Sequence, residues 1–271
     1  MSEITFQIPG QCGHIRGEVR LPSEPKGTVV ICHGFKGFSH WGFFPYLADQ
    51  AAAASLTAIS FDFSGSGIGA DRLNVTEPER FFENTFVKEL TDLDIVLDHS
   101  RKKKWITGKF GLFGHSRGGG VAILHSASDK NVGALVTWSS IGHLRLWAAS
   151  DAKAWRDRGY TEVVNSRTGQ VLKIGTELLD EVETLADTRL NIEEAAARVA
   201  VPWLIVHGKG DETVPAAEAE LLHKKSIENS TLHIVDGNHG FGARHPLVEI
   251  PGELRAVTAE TVSFFKKHLA G

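Results

Sequence analysis

The pattern of apolar and polar positions divides the predicted strands of this chain into two kinds. Near the N-terminus, residues 4–8 and 15–21 alternate between apolar and polar side chains. A period of two indicates strands with one wet face, as in an antiparallel hairpin at the edge of a sheet. Later runs are nearly continuous in apolar residues, which is typical of strands buried on both faces; they cover residues 28–32, 56–61, 110–113, 132–137, 201–206 and 232–235.

Segments with helical spacing of apolar side chains lie between most of these runs. They cover residues 46–54, 86–97, 121–126, 217–225 and 254–269, and the spacing in residues 86–97 places the apolar side chains on one helix face. Strands that alternate with helices predict βαβ units. We therefore predict an α/β fold with a sheet of about eight strands, mostly parallel, and helices on its flanks.

Residues 141–200 break this alternation. They contain a tryptophan-rich helical segment (144–158), a hairpin-like pair of short strands (161–164 and 170–174) and a further predicted helix (178–190). We interpret this stretch as an insertion between two strands of the sheet. The predicted organisation is a core of residues 1–140 and 201–271 with a cap insertion of residues 141–200.

Composition narrows the class of protein. The 271 residues are 42% hydrophobic and carry a formal charge of −4, which is compatible with a sizeable core and excludes global disorder. No basic stripe points to nucleic acid, and no apolar run approaches the ~20 residues of a membrane span. The N-terminus lacks the pattern of a secretory signal, so a cytoplasmic location is expected, with Cys12 and Cys32 as free thiols.

The strongest local signal is the motif Gly-His-Ser-Arg-Gly at residues 114–118. It follows a buried strand and precedes a predicted helix, which is the context that a G-x-S-x-G nucleophile turn requires. The turn exposes the oxygen of Ser116 above the sheet edge, and the glycines allow strand and helix to approach closely. We therefore predict that Ser116 is a nucleophile.

A serine nucleophile needs a base, and the thirteen histidines of the chain do not by themselves identify it. Position in the chain identifies it. Asp211 follows one buried strand and His239 follows the last predicted strand, which gives the chain order Ser, Asp, His. Ser116, Asp211 and His239 are thus predicted at the carboxyl edge of the sheet, where ligands bind in open α/β folds. Asp236 remains an alternative acid, and Asp180 and Asp187 are weaker ones.

The matching segments, residues 30–35, 61–67, 114–118, 207–215 and 237–239, resemble those of serine hydrolases with the α/β-hydrolase fold. Within that superfamily the chain is similar to small intracellular esterases of the dienelactone hydrolase, cinnamoyl/feruloyl esterase and serine-aminopeptidase-like groups. The resemblance extends from Gly27 to the C-terminus, except for the insertion. It is specific for the fold and says little about the substrate.

The resemblance implies a role for each site residue. Ser116 would attack the substrate, His239 would accept and return the proton, and Asp211 would orient His239. The backbone amides of Phe35 and Arg117 would form the oxyanion hole. The expected reaction is cleavage of small carboxylic esters through an acyl-enzyme. Amide, aminopeptidase, thioester and C–C bond hydrolysis, perhydrolysis, and a non-catalytic binding protein on the same fold remain alternatives.

Four further side chains are candidates for the substrate pocket: His115, Trp138, Trp147 and Trp155. For the tryptophans, packing of the insertion against the core is the competing interpretation. No metal-ligand spacing is visible, and the G-x-G-x-x-A match at residues 65–70 does not open a helix as a dinucleotide site would. We therefore expect no metal or cofactor, a small-molecule ester as the partner, no nucleic acid or membrane, and a monomer or homodimer.

Overall fold

The computed structural model describes residues 1–144, 147–165 and 168–269. Its main sheet has eight strands, which are Ser2–Pro9 (β1), His14–Leu21 (β2), Gly27–Cys32 (β3), Leu56–Asp62 (β4), Phe110–His115 (β5), Val132–Trp138 (β6), Trp203–Gly208 (β9) and Ser230–Val235 (β10). Their spatial order is β1-β2-β4-β3-β5-β6-β9-β10. The remaining two, Tyr160–Val164 (β7) and Val171–Gly175 (β8), form a separate antiparallel pair.

The pairing of strands confirms the prediction of a mostly parallel sheet. β1 pairs with β2 and β2 with β4 in antiparallel register, whereas the pairs from β4 through β10 are parallel. β1 shows the alternating exposure that its sequence predicts, and β4 and β5 are buried throughout. The parallel strands therefore end along one edge, and the loops that follow them meet there.

Helices cover both faces of this sheet. They are Phe44–Ala53 (α1), Pro78–Phe82 (α2), Phe86–Lys102 (α3), Arg117–Ser126 (α4), Ala149–Arg158 (α5), Thr176–Leu185 (α6), Ile192–Arg198 (α7), Ala216–Lys225 (α8) and Gly252–Leu269 (α9). One apolar core lies under α1 and α9, and a larger one lies under α3, α4, α7 and α8. In the described ranges, no helix is long and apolar enough to cross a membrane.

The stretch between β6 and β9 contains α5, the β7–β8 hairpin, α6 and α7. The hairpin confirms the one predicted from the sequence. The helix predicted over residues 178–190 is wrong at its C-terminal end, because α6 ends at Leu185. The helix predicted over residues 144–158 begins at Ala149, and residues 145 and 146 lie outside the described ranges. The division into a core and a cap stays a prediction.

Candidate active site

Ser116 lies on a sharp turn between β5 and α4. Its backbone angles are φ +55° and ψ −121°, a region that residues other than glycine rarely adopt. The turn is held in place because the Ser116 amide donates to the Trp138 carbonyl at 2.9 Å and the Ser116 carbonyl accepts from the Gly119 amide at 3.0 Å. The serine thus sits directly before the first turn of a helix, at the carboxyl end of a central strand.

Two glycines of the motif are required by close packing. A Cβ atom on Gly114 would lie 2.3 Å from the Gly118 carbonyl oxygen, and one on Gly118 would lie 2.3 Å from the His33 carbonyl oxygen. Both distances are shorter than van der Waals contact permits. The small residues therefore let α4 approach β3 and β5 closely enough to form this turn.

The side chains of Asp211 and His239 form a hydrogen-bonded pair. Asp211 follows β9 and His239 follows β10, and the Nδ1 atom of His239 donates to Oδ2 of Asp211 at 2.7 Å. Since a carboxylate only accepts, Nδ1 carries the proton and Nε2 of the neutral ring is left as the basic nitrogen. The Asp211 side chain is fully buried, whereas that of His239 is 24% exposed.

The surroundings of Asp211 favour its ionised form. Burial alone would raise its pKa, but hydrogen bonds from His207, His239 and the Val214 amide hold the pKa well below the ordinary value. The Oδ1 atom accepts from the amides of Thr213 at 2.8 Å and Val214 at 2.9 Å. Nε2 of the buried His207 lies 3.3 Å from Oδ2. The carboxylate is therefore charged and held in one orientation.

Asp236, the alternative acid, follows β10 in the same loop as His239. In the described part of the chain, no hydrogen bond or ion pair joins it to His239, whose Nδ1 is occupied by Asp211. Asp180, a weaker candidate, lies on the surface of α6 and accepts from Arg156 of α5 at 2.7 Å. The geometry therefore favours Asp211 among the predicted acids.

The loop after β3 faces the turn at Ser116. The Gly37 amide donates to the Gly34 carbonyl at 3.0 Å, and Lys36 within this tight turn has φ +57°. Across the described ranges, the backbone amides of Phe35 and Arg117 donate no hydrogen bond. The two amides predicted to form the oxyanion hole are therefore without a partner in the described part of the chain, and their role stays a prediction.

A cavity of about 720 Å³ contains both Ser116 and His239 in its lining. Most of the wall is apolar or aromatic, and it comes from the β3 loop, α3, the start of α4 and the residues between β6 and β9. The polar side chains in the lining are Lys36, Ser116, Arg117, Asp151, Thr161, Asn165, Thr213 and the two histidines 115 and 239. Such a largely apolar pocket with a few polar groups is typical of a small-molecule site.

Two of the three predicted tryptophans line this cavity. Trp147 and Trp155 pack edge to face with ring centroids 5.2 Å apart, and the indole of Trp155 donates to the Ile174 carbonyl at 3.0 Å. The prediction for Trp138 is wrong, because its ring is fully buried among the side chains under α9. Its indole nitrogen donates to Thr261 at 2.9 Å.

His115 lines the cavity, but its ring forms a hydrogen bond within the protein. Nε2 lies 2.9 Å from the backbone carbonyl of His239, so this nitrogen carries a proton, and the two rings lie 4.6 Å apart. Burial, and then the neighbouring His239, lower the pKa of His115 to about 3. A neutral His115 is thus placed to hold the His239 loop, and its contact with substrate stays a prediction.

Several lining residues are not predictable from the sequence pattern. That pattern assigns Phe86, at the start of α3, only to an apolar helix face, and it gives no signal for Lys36 or Asp151. Lys36 donates to the Val164 carbonyl of the hairpin at 3.1 Å. These side chains reach the cavity through packing between distant segments, which local patterns do not encode.

The two cysteines are free and take no part in the cavity. Cys32 is buried in β3, where burial raises the pKa of its thiol well above the ordinary value, and burial raises the pKa of Cys12 to about 11. Among the described residues, no three His, Cys, Asp or Glu side chains cluster in a way that could hold a metal ion.

Comparison with known proteins identifies the family to which this chain belongs. The model of the serine aminopeptidase S33 family matches residues 23–167, more than half of the chain. Monoacylglycerol lipase from Mycolicibacterium smegmatis is 23% identical over 91% of this chain and 90% of its own.

Solved structures share the fold. Est1E from Butyrivibrio proteoclasticus, with ferulic acid bound, has a TM-score of 0.75 at 20% identity and covers 98% of this chain and 100% of its own. The alpha/beta hydrolase GrgF from Penicillium sp. sh18 has a TM-score of 0.73 at 17% identity, with both chains covered completely. The predicted fold is confirmed, and the chain belongs to the serine aminopeptidase S33 family of hydrolases with the α/β-hydrolase fold.

Proposed function

We propose that this hydrolase cleaves small carboxylic esters through an acyl-enzyme formed on Ser116. The observation that carries the proposal is the 2.7 Å hydrogen bond between His239 and Asp211, with His239 and the strained Ser116 turn lining one cavity. The components that serine catalysis requires are an ionised, oriented acid, a base whose Nε2 has no partner among the described residues, and a nucleophile turn that lines the cavity.

In the first half of the reaction, Nε2 of His239 takes the proton of the Ser116 hydroxyl as Oγ attacks the ester carbonyl carbon. The carbonyl oxygen becomes an oxyanion, which accepts hydrogen bonds from the Phe35 and Arg117 amides. Each such donor contributes about 3–4 kcal/mol to transition-state stabilisation. The ester C–O bond then breaks, and the alcohol leaves with the proton that His239 returns.

In the second half, His239 removes a proton from water, and the hydroxide attacks the acyl carbon on Ser116. The same amides stabilise the second oxyanion, and its collapse breaks the bond to Ser116 Oγ, which takes the proton back from His239 as the carboxylic acid leaves. Asp211 stays ionised throughout and stabilises the imidazolium that forms in each half. The residues between β6 and β9 serve as a cap that excludes water and shapes the acyl pocket.

Amide hydrolysis at a free N-terminus is the second candidate. The family is named for an aminopeptidase activity, and the carboxylate of Asp151 lines the cavity, where it could bind an ammonium group. The mostly apolar wall and the cations of Lys36 and Arg117 in the same lining favour an ester instead.

A matched substrate panel separates these candidates. Nitrophenyl esters of increasing chain length, aromatic esters, a thioester and aminoacyl nitroanilides are compared by kcat/KM with the wild type and Ser116→Ala. We expect hydrolysis of esters that depends on Ser116, and at most weak cleavage of the anilides. A higher kcat/KM for the aminoacyl anilides would support the aminopeptidase, and ester turnover unaffected by Ser116→Ala would refute both.

A further inference from the structure

The side chain of Arg117 is a buried cation in the wall of the active-site cavity. The residue is 7% exposed and directly follows Ser116. Its Nε atom donates to Oε2 of Glu89 at 2.8 Å. The guanidinium carbon lies 3.8 Å from the centroid of the Phe86 ring and 5.6 Å from that of Phe35. The ion pair and the two rings together fix the guanidinium in position.

Glu89 neutralises this cation from the side away from the cavity. Its side chain is 6% exposed, and its second oxygen accepts from Asn84 at 2.7 Å. A further carboxylate, Glu181, lies close enough to Arg117 for the positive charge to lower its pKa. Burial has the larger effect and raises the pKa of Glu181. The charges of Arg117 and Glu89 therefore offset each other in the wall of the cavity.

Most of the donors on Arg117 are unused. A guanidinium carries five N–H groups; within the described part of the chain, the bond from Nε to Glu89 is the one that this side chain forms, and the buried Nη2 has no partner. An unsatisfied buried donor is costly, so native structures retain one where it serves a purpose. In a mostly apolar pocket, a few such groups determine which ligand is bound.

The position of Arg117 indicates which part of an ester it meets. His239, which would protonate the leaving alcohol, follows β10 and is partly exposed. Arg117 contacts α3 and the β3 loop, on the other side of Ser116 in the strand order, and is buried. The leaving group therefore belongs on the open side and the acyl group on the side of Arg117.

We propose that the Arg117 guanidinium determines acyl specificity by binding a neutral oxygen acceptor, such as a keto, hydroxyl or ether oxygen, on the acyl group of the substrate. This inference rests on the proposed esterase function. A neutral acceptor is favoured over a carboxylate because Glu89 already compensates the charge, and an additional anion would face the carboxylates of the buried Glu89 and the half-buried Glu181.

The test compares nitrophenyl levulinate with nitrophenyl isocaproate, in which a methyl branch replaces the keto oxygen, and with nitrophenyl monoadipate, which carries a carboxylate. Each rate is corrected for spontaneous hydrolysis, and the readout is the ratio of kcat/KM within one variant. A general loss of catalysis changes both esters alike and cancels in this ratio.

The wild type should prefer levulinate over isocaproate by at least about tenfold, because a hydrogen bond to a charged donor is lost in the second ester. In Arg117→Met the ratio should fall to about one. The double variant Arg117→Met/Glu89→Gln should give the same ratio without leaving a buried charge unpaired. Arg101→Met, which removes an arginine that pairs with Asp98 outside the cavity lining, should keep the wild-type ratio.

Glu89→Gln gives an independent readout. It removes the carboxylate charge that pairs directly with Arg117, so turnover of monoadipate should rise relative to isocaproate. A wild-type ratio near one, a ratio unchanged in the Arg117 variants, or a wild-type preference for monoadipate would overturn the proposal. If neither ester is hydrolysed in a Ser116-dependent manner, the proposed function fails instead. In that case, calorimetry on Ser116→Ala measures the Kd values of the levulinate and isocaproate esters, and the ratio of the two Kd values tests the role of Arg117.

Discussion

At the scale of single residues, the site depends on a strained backbone conformation at one position and on glycines at which an added side-chain atom would clash. Ser116 has φ +55°, and a residue other than glycine held in such a region costs about 1–3 kcal/mol. The flanking glycines make this possible because they let α4 lie against the carbonyls of β3. Sequence context predicted this turn well, since strand, glycines and helix are adjacent in the chain.

Gly118→Ala tests the packing at this turn. The added Cβ would lie 2.3 Å from the His33 carbonyl oxygen and 2.6 Å from that of Cys32, and backbone atoms cannot move aside cheaply. We expect the free energy of unfolding to fall by about 2–3 kcal/mol, measured in urea, together with most of the activity. Gly108→Ala is the control, because a Cβ atom at that position would have no described atom within 4 Å. Equal stability of the two variants would contradict the account.

The assignment of the acid gives a second prediction at this scale. Asp211→Asn replaces the acceptor of the His239 Nδ1–H and should lower kcat by about 10³–10⁴-fold. Asp236→Asn should change kcat by less than about threefold, since the described structure shows no bond from Asp236 to His239. Steady-state kinetics on one nitrophenyl ester measures both. The opposite ranking would reassign the acid.

At the scale of elements, the helices and strands that could be predicted are those with a local pattern in the sequence. Continuous apolar runs identified β3, β4, β5 and β6 because a strand buried on both faces has no polar side to interrupt it. α7 was missed because seven residues are too short to show a helical period, although Asn191 caps it by accepting from the Glu194 amide at 3.0 Å. The contacts that shape the cavity were not predictable, because they join segments far apart in sequence.

One such contact, from Lys36 to the hairpin, gives a prediction at this scale. The Lys36 ammonium donates to the Val164 carbonyl at 3.1 Å and so connects the β3 loop to the β7–β8 hairpin, which also lines the cavity. Lys36→Met should raise KM by about two- to fivefold, because an exposed hydrogen bond contributes about 0.5–1.5 kcal/mol. It should also speed amide exchange in residues 160–164.

The exposed Lys130 provides the matched control. Lys130→Met removes a lysine charge outside the cavity lining and should alter neither KM nor exchange in the hairpin. Unchanged exchange in Lys36→Met would show that the contact does not hold the hairpin.

At the scale of the whole molecule, a buried charge network joins the antiparallel edge of the sheet to the loops beside it. Glu18 on β2 is 3% exposed, and it forms ion pairs with Arg20, Arg72 and His40. Arg72 also lies 3.4 Å from Asp62. The composition gave no hint of this network, since a net charge reports the sum of charges and not their positions.

The network predicts a pH dependence of stability. Burial would raise the pKa of Glu18, but hydrogen bonds and charges of His40 and Arg20 lower it from 4.5 to about 2. A carboxyl with a lowered folded pKa stabilises the protein above its unfolded pKa, and this stabilisation is lost as the pH falls. Glu18 should therefore contribute about 3 kcal/mol at neutral pH, which disappears between pH 4.5 and pH 2.

Chemical unfolding of the wild type and Glu18→Gln over this pH range checks the prediction. The wild type should be more stable at neutral pH, and the two free energies of unfolding should converge as the pH falls toward 2. A difference that stays constant with pH would show that Glu18 does not titrate in this way.

The central claim is that Ser116, activated by His239, is the nucleophile of a serine hydrolase, and covalent labelling by a fluorophosphonate tests it most directly. Peptide mass mapping of the labelled protein should find one adduct per chain, on the peptide that contains Ser116. Ser116→Ala should stay unlabelled, and His239→Ala should react far more slowly. A folded wild-type protein that resists the probe, or an adduct on another residue, would contradict the account.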